Sequence, residues 1–282
     1  EISACLVGSE MCIRDSAMNR NGLLAIAFHT LFVVFMLAPL VVVMWMSLTP
    51  SDLLRLPTTS LSLRWFRAIL DDGRFMSALW LSTQLAFVAA SLSVILAIPA
   101  ALALARYDFR GRNALVAFFL SPLIIPHVVL GVAFLRFFTQ IGVTGSATAL
   151  VGAHALVIFP YALRLILSGL TASDPAIERA AVSLGASRWI VFRSIILPAM
   201  VPAIAGGWII SFIQSFDEVT MTVFIATPSS MTLPVRLYHY IEESIDPLVA
   251  SVSTMVILLT FLLMFVVDRL YGLDRILVGK GN

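Results

Sequence analysis

The sequence predicts an all-α integral membrane protein with six transmembrane helices. Of its 282 residues, 60% are hydrophobic and 12% are charged, whereas soluble domains carry about 25% charged residues. The mean hydropathy is +1.00, and the apolar residues occur in runs of roughly 20 or more, enough for a helix to cross the hydrocarbon of a bilayer. A net charge of +2 is too small to indicate a nucleic-acid partner. The expected environment is therefore the lipid bilayer.

Six apolar runs predict the spans, and each is closed by polar, glycine or proline residues. The first ends before Thr49 and Pro50, the second before a basic turn and the third before a glycine-containing loop. The fourth ends at a polar island, the fifth at Thr227 and the sixth at Gly272. Prolines inside these runs are compatible with helices in a bundle, because neighbouring groups satisfy the backbone atoms that a proline frees. The predicted spans are residues 23–48, 76–105, 114–138, 147–170, 199–226 and 248–271.

The segments outside the core have simpler interpretations. Residues 1–17 are interpreted as a non-native extension, with Met18 as the natural start. They contain Cys5 and Cys12, too few for a disulfide framework or a four-ligand metal site, and they lack the charged and apolar regions of a signal peptide. Residues 18–75 hold the first span and an outer loop, 76–271 a five-helix core, and 272–282 a tail. Within the outer loop, residues 61–70 fit an interfacial amphipathic helix or a solvated loop with one helical turn.

The distribution of basic residues predicts that both termini lie in the cytoplasm, because cytoplasmic loops are enriched in arginine and lysine. The larger set would lie inside and comprises Arg14, Arg20, Arg106, Arg110, Arg112, Arg179, Arg188, Arg193, Arg269, Arg275 and Lys280. The smaller set would lie outside and comprises Arg55, Arg64, Arg67, Arg74 and Arg236.

The polar island between the fourth and fifth spans has the chemistry of a docking element. A carboxylate at Glu178 favours the start of a short helix, and Ala180 and Ala181 offer a smooth face for close packing. Gly185 allows a turn in which a side chain would not fit, and Pro198 can open the following helix. The complete pattern comprises Glu178, Ala180, Ala181, Gly185, Ile195, Leu197 and Pro198.

This pattern, Glu-x-Ala-Ala-x3-Gly-x9-Ile-x-Leu-Pro, resembles the EAA loop of the permease subunits of bacterial ABC importers, and every fixed position is present. The loop covers residues 171–198, and residues 76–271 match the order of spans in the type I permease core. The resemblance implies a coupling helix that docks into a groove on a cytoplasmic ATP-binding subunit. It also implies that Glu178, Ala180, Ala181 and Gly185 are the contact and turn positions.

Several kinds of chemistry are absent from the sequence. The only lysine, Lys280, is followed by Gly281, so no phosphate-binding Gly-Lys-Ser/Thr motif exists. There is neither a His-Glu-x-x-His zinc motif nor a Gly-x-Ser-x-Gly nucleophile elbow. We therefore expect a transporter subunit that is not an enzyme, requires no cofactor, and depends on ATP hydrolysis in a partner chain.

A second resemblance concerns the end of the fifth span. Ser215-Phe216-Asp217-Glu218-Val219, followed by Thr232-Leu233-Pro234-Val235-Arg236 and Tyr240-Ile241, looks like the spermidine/putrescine-type permease family. Within that family it looks like the second of two paired permease subunits. Related families for opines, amino acid-like solutes and ferric iron share parts of these motifs and remain alternatives.

The same stretch carries a polar stripe on an otherwise apolar helix. The stripe consists of Ser211, Gln214, Ser215 and Glu218, which lie at i, i+3, i+4 and i+7. Asp217 lies beside it, roughly 27 Å from the inner end of the span at 1.5 Å per residue. Charged residues inside a membrane usually face a bundle interior or a water-filled path, and two acids suit a cationic substrate. The alternative is that the acids cap the helix or pair with Arg136 or Arg236. The candidate path residues are Ser211, Gln214, Ser215, Asp217 and Glu218.

The resemblance also implies partners and a location. A type I importer contains a second permease, two ATP-binding subunits and an extracytoplasmic solute-binding protein, in the bacterial inner membrane. The rival hypothesis is an ion-driven secondary carrier, for which inverted internal repeats would be typical. The first three spans contain no convincing second copy of the polar stripe.

Overall fold

The computed structural model describes residues 22–53 and 60–271, and all regular elements within these residues are helical. The predicted extension 1–17, the tail 272–282 and part of the outer loop lie outside them.

The described residues fall into two compact units. One runs to Ala68 and includes Asp246–Ile257, and the other comprises Ile69–Ile245 and the residues from Leu258 onward. The helices are α1 Gly22–Met46, α2 Arg64–Asp71, α3 Gly73–Arg106, α4 Arg112–Leu120, α5 His127–Gln140, α6 Ala147–Ala172, α7 Pro175–Ser183, α8 Arg188–Val191, α9 Leu197–Phe216, α10 Thr222–Ile225, α11 Leu233–Glu243 and α12 Leu248–Tyr271.

In the first unit, hydrogen bonds close the turn that follows α1. The hydroxyl of Ser47 donates to the carbonyl of Met44 over 2.7 Å, and Ser251 of α12 donates to the carbonyl of Ser47 over 3.1 Å. Helix α2 forms over Arg64–Asp71, so the stretch for which the sequence left two interpretations open is a helix of more than one turn. Its first residue pairs with Asp52 at 2.8 Å.

The core of the second unit is formed by α3, α6 and α9. Alanines on one face of α3, including Ala97 and Ala101, are fully buried, and small residues of this kind let membrane helices approach closely. They pack with Leu163, Ile166 and Met200 of the other two helices. This alanine-lined packing fixes the three helices whose ends carry the candidate functional residues.

The described part of the chain contains four helices that are long and apolar enough to span a membrane. They are Leu24–Met46, Gly73–Arg106, Ala147–Ala172 and Arg188–Phe216, and a bent helix pair makes a fifth if it counts as one span. The apolar stretch Leu248–Leu262 of α12 is shorter. The membrane character is confirmed, whereas the count of six spans and the orientation stay predictions.

The third predicted span is not the uninterrupted helix expected over residues 114–138. Helix α4 continues into a 3₁₀ turn at Ser121–Leu123, and α5 then leaves at an angle of 96°. Pro126 explains the break, because proline lacks an N–H donor and disfavours the helical conformation of the residue before it. Unlike Pro99 and Pro160, which lie inside continuous helices, it ends one helix and begins another.

The fifth predicted span is shifted toward the N-terminus. Expected over residues 199–226, the helix runs from Arg188 through a π turn at Phe192–Ile196 and ends at Phe216. Beyond it the carboxylate of Glu218 accepts the backbone N–H of Met221 over 2.7 Å. Such local bonds offer the backbone an alternative to the helical pattern. The expectation that Asp217 and Glu218 belong to the helix itself is therefore wrong.

Candidate functional site

Helix α7 begins with a side-chain cap. Asp174 accepts the N–H of Ala176 over 2.8 Å, and Pro175 occupies the first helical position, where the missing N–H costs nothing. Glu178 lies in the first turn, as the sequence predicted. The cap explains why a helix of nine residues forms in a polar island.

The carboxylate of Glu178 turns toward the protein and meets Arg106, the last residue of α3. The Arg106 Nε donates to Oε1 over 3.0 Å and to Oε2 over 3.2 Å, and Nη2 donates to Oε1 over 2.6 Å. The same Nη2 donates to the carbonyl of Leu170 over 3.1 Å. Both charged side chains are 15% exposed. Three helices are thus joined by one guanidinium group.

Helix α7 and its C-terminal cap, Leu184, also carry exposed apolar side chains, and we call Ile177, Val182 and Leu184 the apolar patch. All three side chains are exposed, and Leu184 is 89% exposed. Gly185 follows with φ +92°, a left-handed conformation that strains any residue with a Cβ. The chain therefore turns immediately after this exposed leucine.

The remaining positions of the motif differ in environment. Ala180 is exposed, whereas Ala181 and Ile195 are half-buried and pack against the core of the second unit. Leu197 and Pro198 are the first two residues of α9 and follow the π turn directly, so Pro198 lies inside the continuous helix Arg188–Phe216 and does not start it. The motif thus divides into residues that face the core and residues that do not.

A polar turn, defined as residues 217–221, connects α9 to α10. Within it the Glu218 side chain is only 8% exposed. Its Oε2 lies 2.6 Å from Nδ1 of His127, the first residue of α5, and its Oε1 accepts the N–H of Met221. Neither arginine considered from the sequence is its partner, because the break before His127 brings the imidazole to this carboxylate instead.

Asp217 differs from its neighbour. It occupies the C-terminal cap of α9, where its backbone N–H donates to the carbonyl of Ile213 over 3.0 Å. Its side chain is exposed. Of the two carboxylates, Asp217 is therefore the one that is accessible from outside the protein.

The polar turn is held at both ends by one buried imidazole. His154 of α6 is 1% exposed. Its Nδ1 lies 2.9 Å from the hydroxyl of Ser215, just before the turn, and its Nε2 lies 3.0 Å from the hydroxyl of Thr222, just after it. Since a neutral imidazole has one donor and one acceptor nitrogen, both contacts can be satisfied together.

Close packing also restrains the polar turn. A Cβ at Gly131 of α5 would lie 3.0 Å from the carbonyl oxygen of Met221 and 2.7 Å from the ring of Phe224. The absence of a side chain at Gly131 therefore lets α5 approach the backbone of the turn.

The expected polar stripe is split by the fold. Ser211 and Ser215 are buried, Gln214 is half-buried, and the hydroxyl of Ser211 has no hydrogen-bond partner among the described residues. From the sequence, no role was assigned to His127 or His154. Their presence in apolar runs was the available signal, because polar residues inside a membrane are rare and usually functional. In residues 22–53 and 60–271, no group of three metal-binding side chains occurs.

Comparison with known proteins places this geometry in context. Residues 93–273 match the family described as binding-protein-dependent transport system inner membrane component. The spermidine/putrescine transport system permease protein PotC of Haemophilus influenzae is 30% identical over 93% of this chain and 97% of the relative. The putrescine transport system permease protein PotI of Escherichia coli K12 is 31% identical over 79% and 82% of the two chains.

Solved structures share the fold. A chain of a bacterial ABC transporter involved in the import of the acidic polysaccharide alginate has a TM-score of 0.72 at 16% identity, covering 89% of this chain and 96% of that one. A chain of the inward-facing MetNI methionine ABC transporter has a TM-score of 0.58 at 20% identity, covering 69% and 93%. The arrangement of helices is thus similar to that of ABC transporter subunits.

Proposed function

The chain belongs to the family of binding-protein-dependent transport system inner membrane components, the permease subunits of ABC importers, and we propose that its substrate is a polyamine such as spermidine or putrescine. We further propose that it spans the bacterial inner membrane six times with both termini in the cytoplasm. Its partners would be a second permease, two ATP-binding subunits and an extracytoplasmic solute-binding protein. It would contribute the path and the mechanical linkage, and its partners would hydrolyse ATP.

The observation that carries the substrate proposal is the accessible carboxylate of Asp217 at the end of an apolar helix. A polyamine carries ammonium groups, and a carboxylate provides a charge-assisted hydrogen bond for such a group. Both oxygens of the neighbouring Glu218 are already engaged by His127 and Met221. Asp217 would therefore bind the amine, and Glu218 would keep the turn in shape. The names of the relatives PotC and PotI agree with this substrate class.

The exposed apolar patch supports the partnership with an ATP-binding subunit. Apolar side chains exposed at the end of a short helix gain free energy when they enter a groove on another protein. In alternating access, ATP binding at one site changes the conformation of a second site. This coupling requires contacts that differ between the two conformational states. Helix α7 is suited to provide these contacts, because it carries both the patch and the link to Arg106.

Transport by the reconstituted importer tests the proposal. The chain would be co-expressed with a second permease, an ATP-binding subunit and a solute-binding protein from the same source, and the complex would be placed in liposomes. We expect saturable uptake of labelled spermidine that requires ATP and is inhibited by putrescine. Uptake driven by an ion gradient without ATP would overturn the importer function. ATP-dependent uptake of an opine, an amino acid or ferric iron in place of spermidine would overturn the substrate.

Replacing Asp217 with asparagine is expected to raise the KM for spermidine about tenfold, because a charge-assisted hydrogen bond to the ammonium is lost. The substitution keeps the size of the side chain at an exposed position, so assembly should not change. The matched control is Asp108→Asn, which removes an exposed carboxylate that lies 3.7 Å from Arg112. Equal KM values for Asp217→Asn and the control would exclude Asp217 from substrate binding.

A further inference from the structure

We infer that Arg106 is a positioning residue that fixes Glu178 of α7 to the transmembrane core, so that Glu178 transmits movement and does not contact the ATP-binding subunit. This inference rests on the proposed importer function. It assigns a role to a residue outside the loop motif and changes the role expected for Glu178 from the resemblance.

The first argument is the geometry of the contact. A guanidinium group that donates to both oxygens of a carboxylate fixes their relative orientation as well as their distance. Arg106 does this for Glu178 across 72 residues of sequence. Through Nη2 it also donates to the carbonyl of Leu170 in the last turn of α6, which accepts the backbone N–H of Ser173 as well.

The second argument is the mechanical consequence of this arrangement. Arg106 is the last residue of α3, Leu170 lies in the last turn of α6, and Glu178 lies in the first turn of α7. Because one side chain joins all three, α7 cannot rotate or translate without moving the ends of α3 and α6 or breaking these bonds. Both helices belong to the packed core of the second unit, so a displacement of α7 reaches the membrane-embedded residues.

The third argument is the separation of tasks on α7. Both oxygens of Glu178 are engaged by Arg106, and the pair is largely shielded from solvent. A groove on another subunit would meet a carboxylate whose charge is already neutralised by Arg106 and whose side chain is only 15% exposed. The side chains of the apolar patch are exposed and have no such partner in α3. Docking and transmission are therefore assigned to different side chains of the same short helix.

The test separates docking from transmission in the complete reconstituted importer. The variants are Glu178→Gln, Arg106→Lys, Arg106→Glu, Glu178→Arg and the double variant that exchanges the two charges. For each variant, one experiment measures the ATP-binding subunit that co-purifies, and another measures ATP hydrolysed per spermidine transported. The control is Arg179→Ala, which removes an exposed charge from the next position of the same helix.

We expect the single variants to retain the ATP-binding subunit while the ATP hydrolysed per spermidine rises about tenfold. The charge exchange should recover part of the coupling, and Arg106→Lys should be intermediate because lysine lacks the planar fork. If Arg106→Glu fails to assemble, hydrogen exchange of residues 175–183 in Arg106→Lys provides the second measurement, with faster exchange expected.

Two results would overturn the inference. One is loss of the ATP-binding subunit from Glu178→Gln with normal hydrogen exchange in α7, which would make Glu178 a docking contact. The other is a wild-type ratio of ATP hydrolysed to spermidine transported in every Arg106 variant. Failure of the proposed function is distinguishable from both, because the wild-type complex itself would then show no ATP-dependent uptake of spermidine.

Discussion

Replacing Leu184 with aspartate is expected to detach the ATP-binding subunit while the membrane fold stays intact. Leu184 is the most exposed member of the apolar patch, so its removal leaves no cavity in the protein itself. An aspartate there would have to lose its hydration in the groove of the partner without a matching charge. Central apolar contacts of interfaces contribute about 2 kcal/mol or more, which corresponds to roughly a thirtyfold loss of affinity.

The measurement is the affinity of the purified ATP-binding subunit for the permease in detergent, with unfolding temperature as the check on folding. The matched control is Leu61→Asp, which places the same charge at another exposed leucine, on a loop predicted to lie on the other side of the membrane. The control should bind like the wild type. Wild-type affinity of Leu184→Asp would mean that the patch is not the docking surface.

The second large effect is expected from replacing His154 with leucine. The substitution leaves the hydroxyls of Ser215 and Thr222 without their partner in a buried site. Each unsatisfied buried group costs about 1–3 kcal/mol, so the loss of two partners should lower the free energy of unfolding by about 2–6 kcal/mol. The polar turn would also lose the contact that holds its two ends, and spermidine uptake should decrease.

Thermal unfolding of the detergent-solubilised protein measures the loss of stability, with His29→Leu, at an exposed position of α1, as the control. A triple variant, His154→Leu with Ser215→Ala and Thr222→Val, separates stability from positioning. Removing all three polar groups should restore much of the stability, because no group is left unsatisfied, but not the uptake. A Tm of His154→Leu no lower than that of the control would show that these hydrogen bonds contribute little.

The helix bounds were predicted correctly where the local sequence pattern and the tertiary packing favour the same helix. The long apolar runs of α3 and α6 were predicted to within a few residues, because their length alone requires a membrane-sized helix. The break before His127 was missed, because the prolines inside the apolar runs were all expected to lie within continuous helices. A proline inside a membrane run is compatible with a continuous helix or with a break, and the neighbouring backbone decides between them.

The candidate site was predictable only in part. The loop motif located α7, its Glu178 and its turn at Gly185, because these depend on local spacing. The role of Glu178 could not be deduced, since Arg106 lies 72 residues away in sequence. Likewise, His127 and His154 reach the polar turn only through the bend before α5 and the packing of α6. These contacts join distant segments, and a single sequence contains no local pattern for them.

The π turn at Phe192–Ile196 has a consequence for how chain length can vary in this protein. A π turn accommodates one residue more than an α-helical turn, so a deletion there restores α-helical geometry without rotating the residues that follow. A deletion further along α9 would turn every later side chain by about 100°, since an α-helix has about 3.6 residues per turn. Ser215 would then point away from His154. Single-residue deletions in homologous chains should therefore be tolerated at the π turn and selected against between it and Phe216.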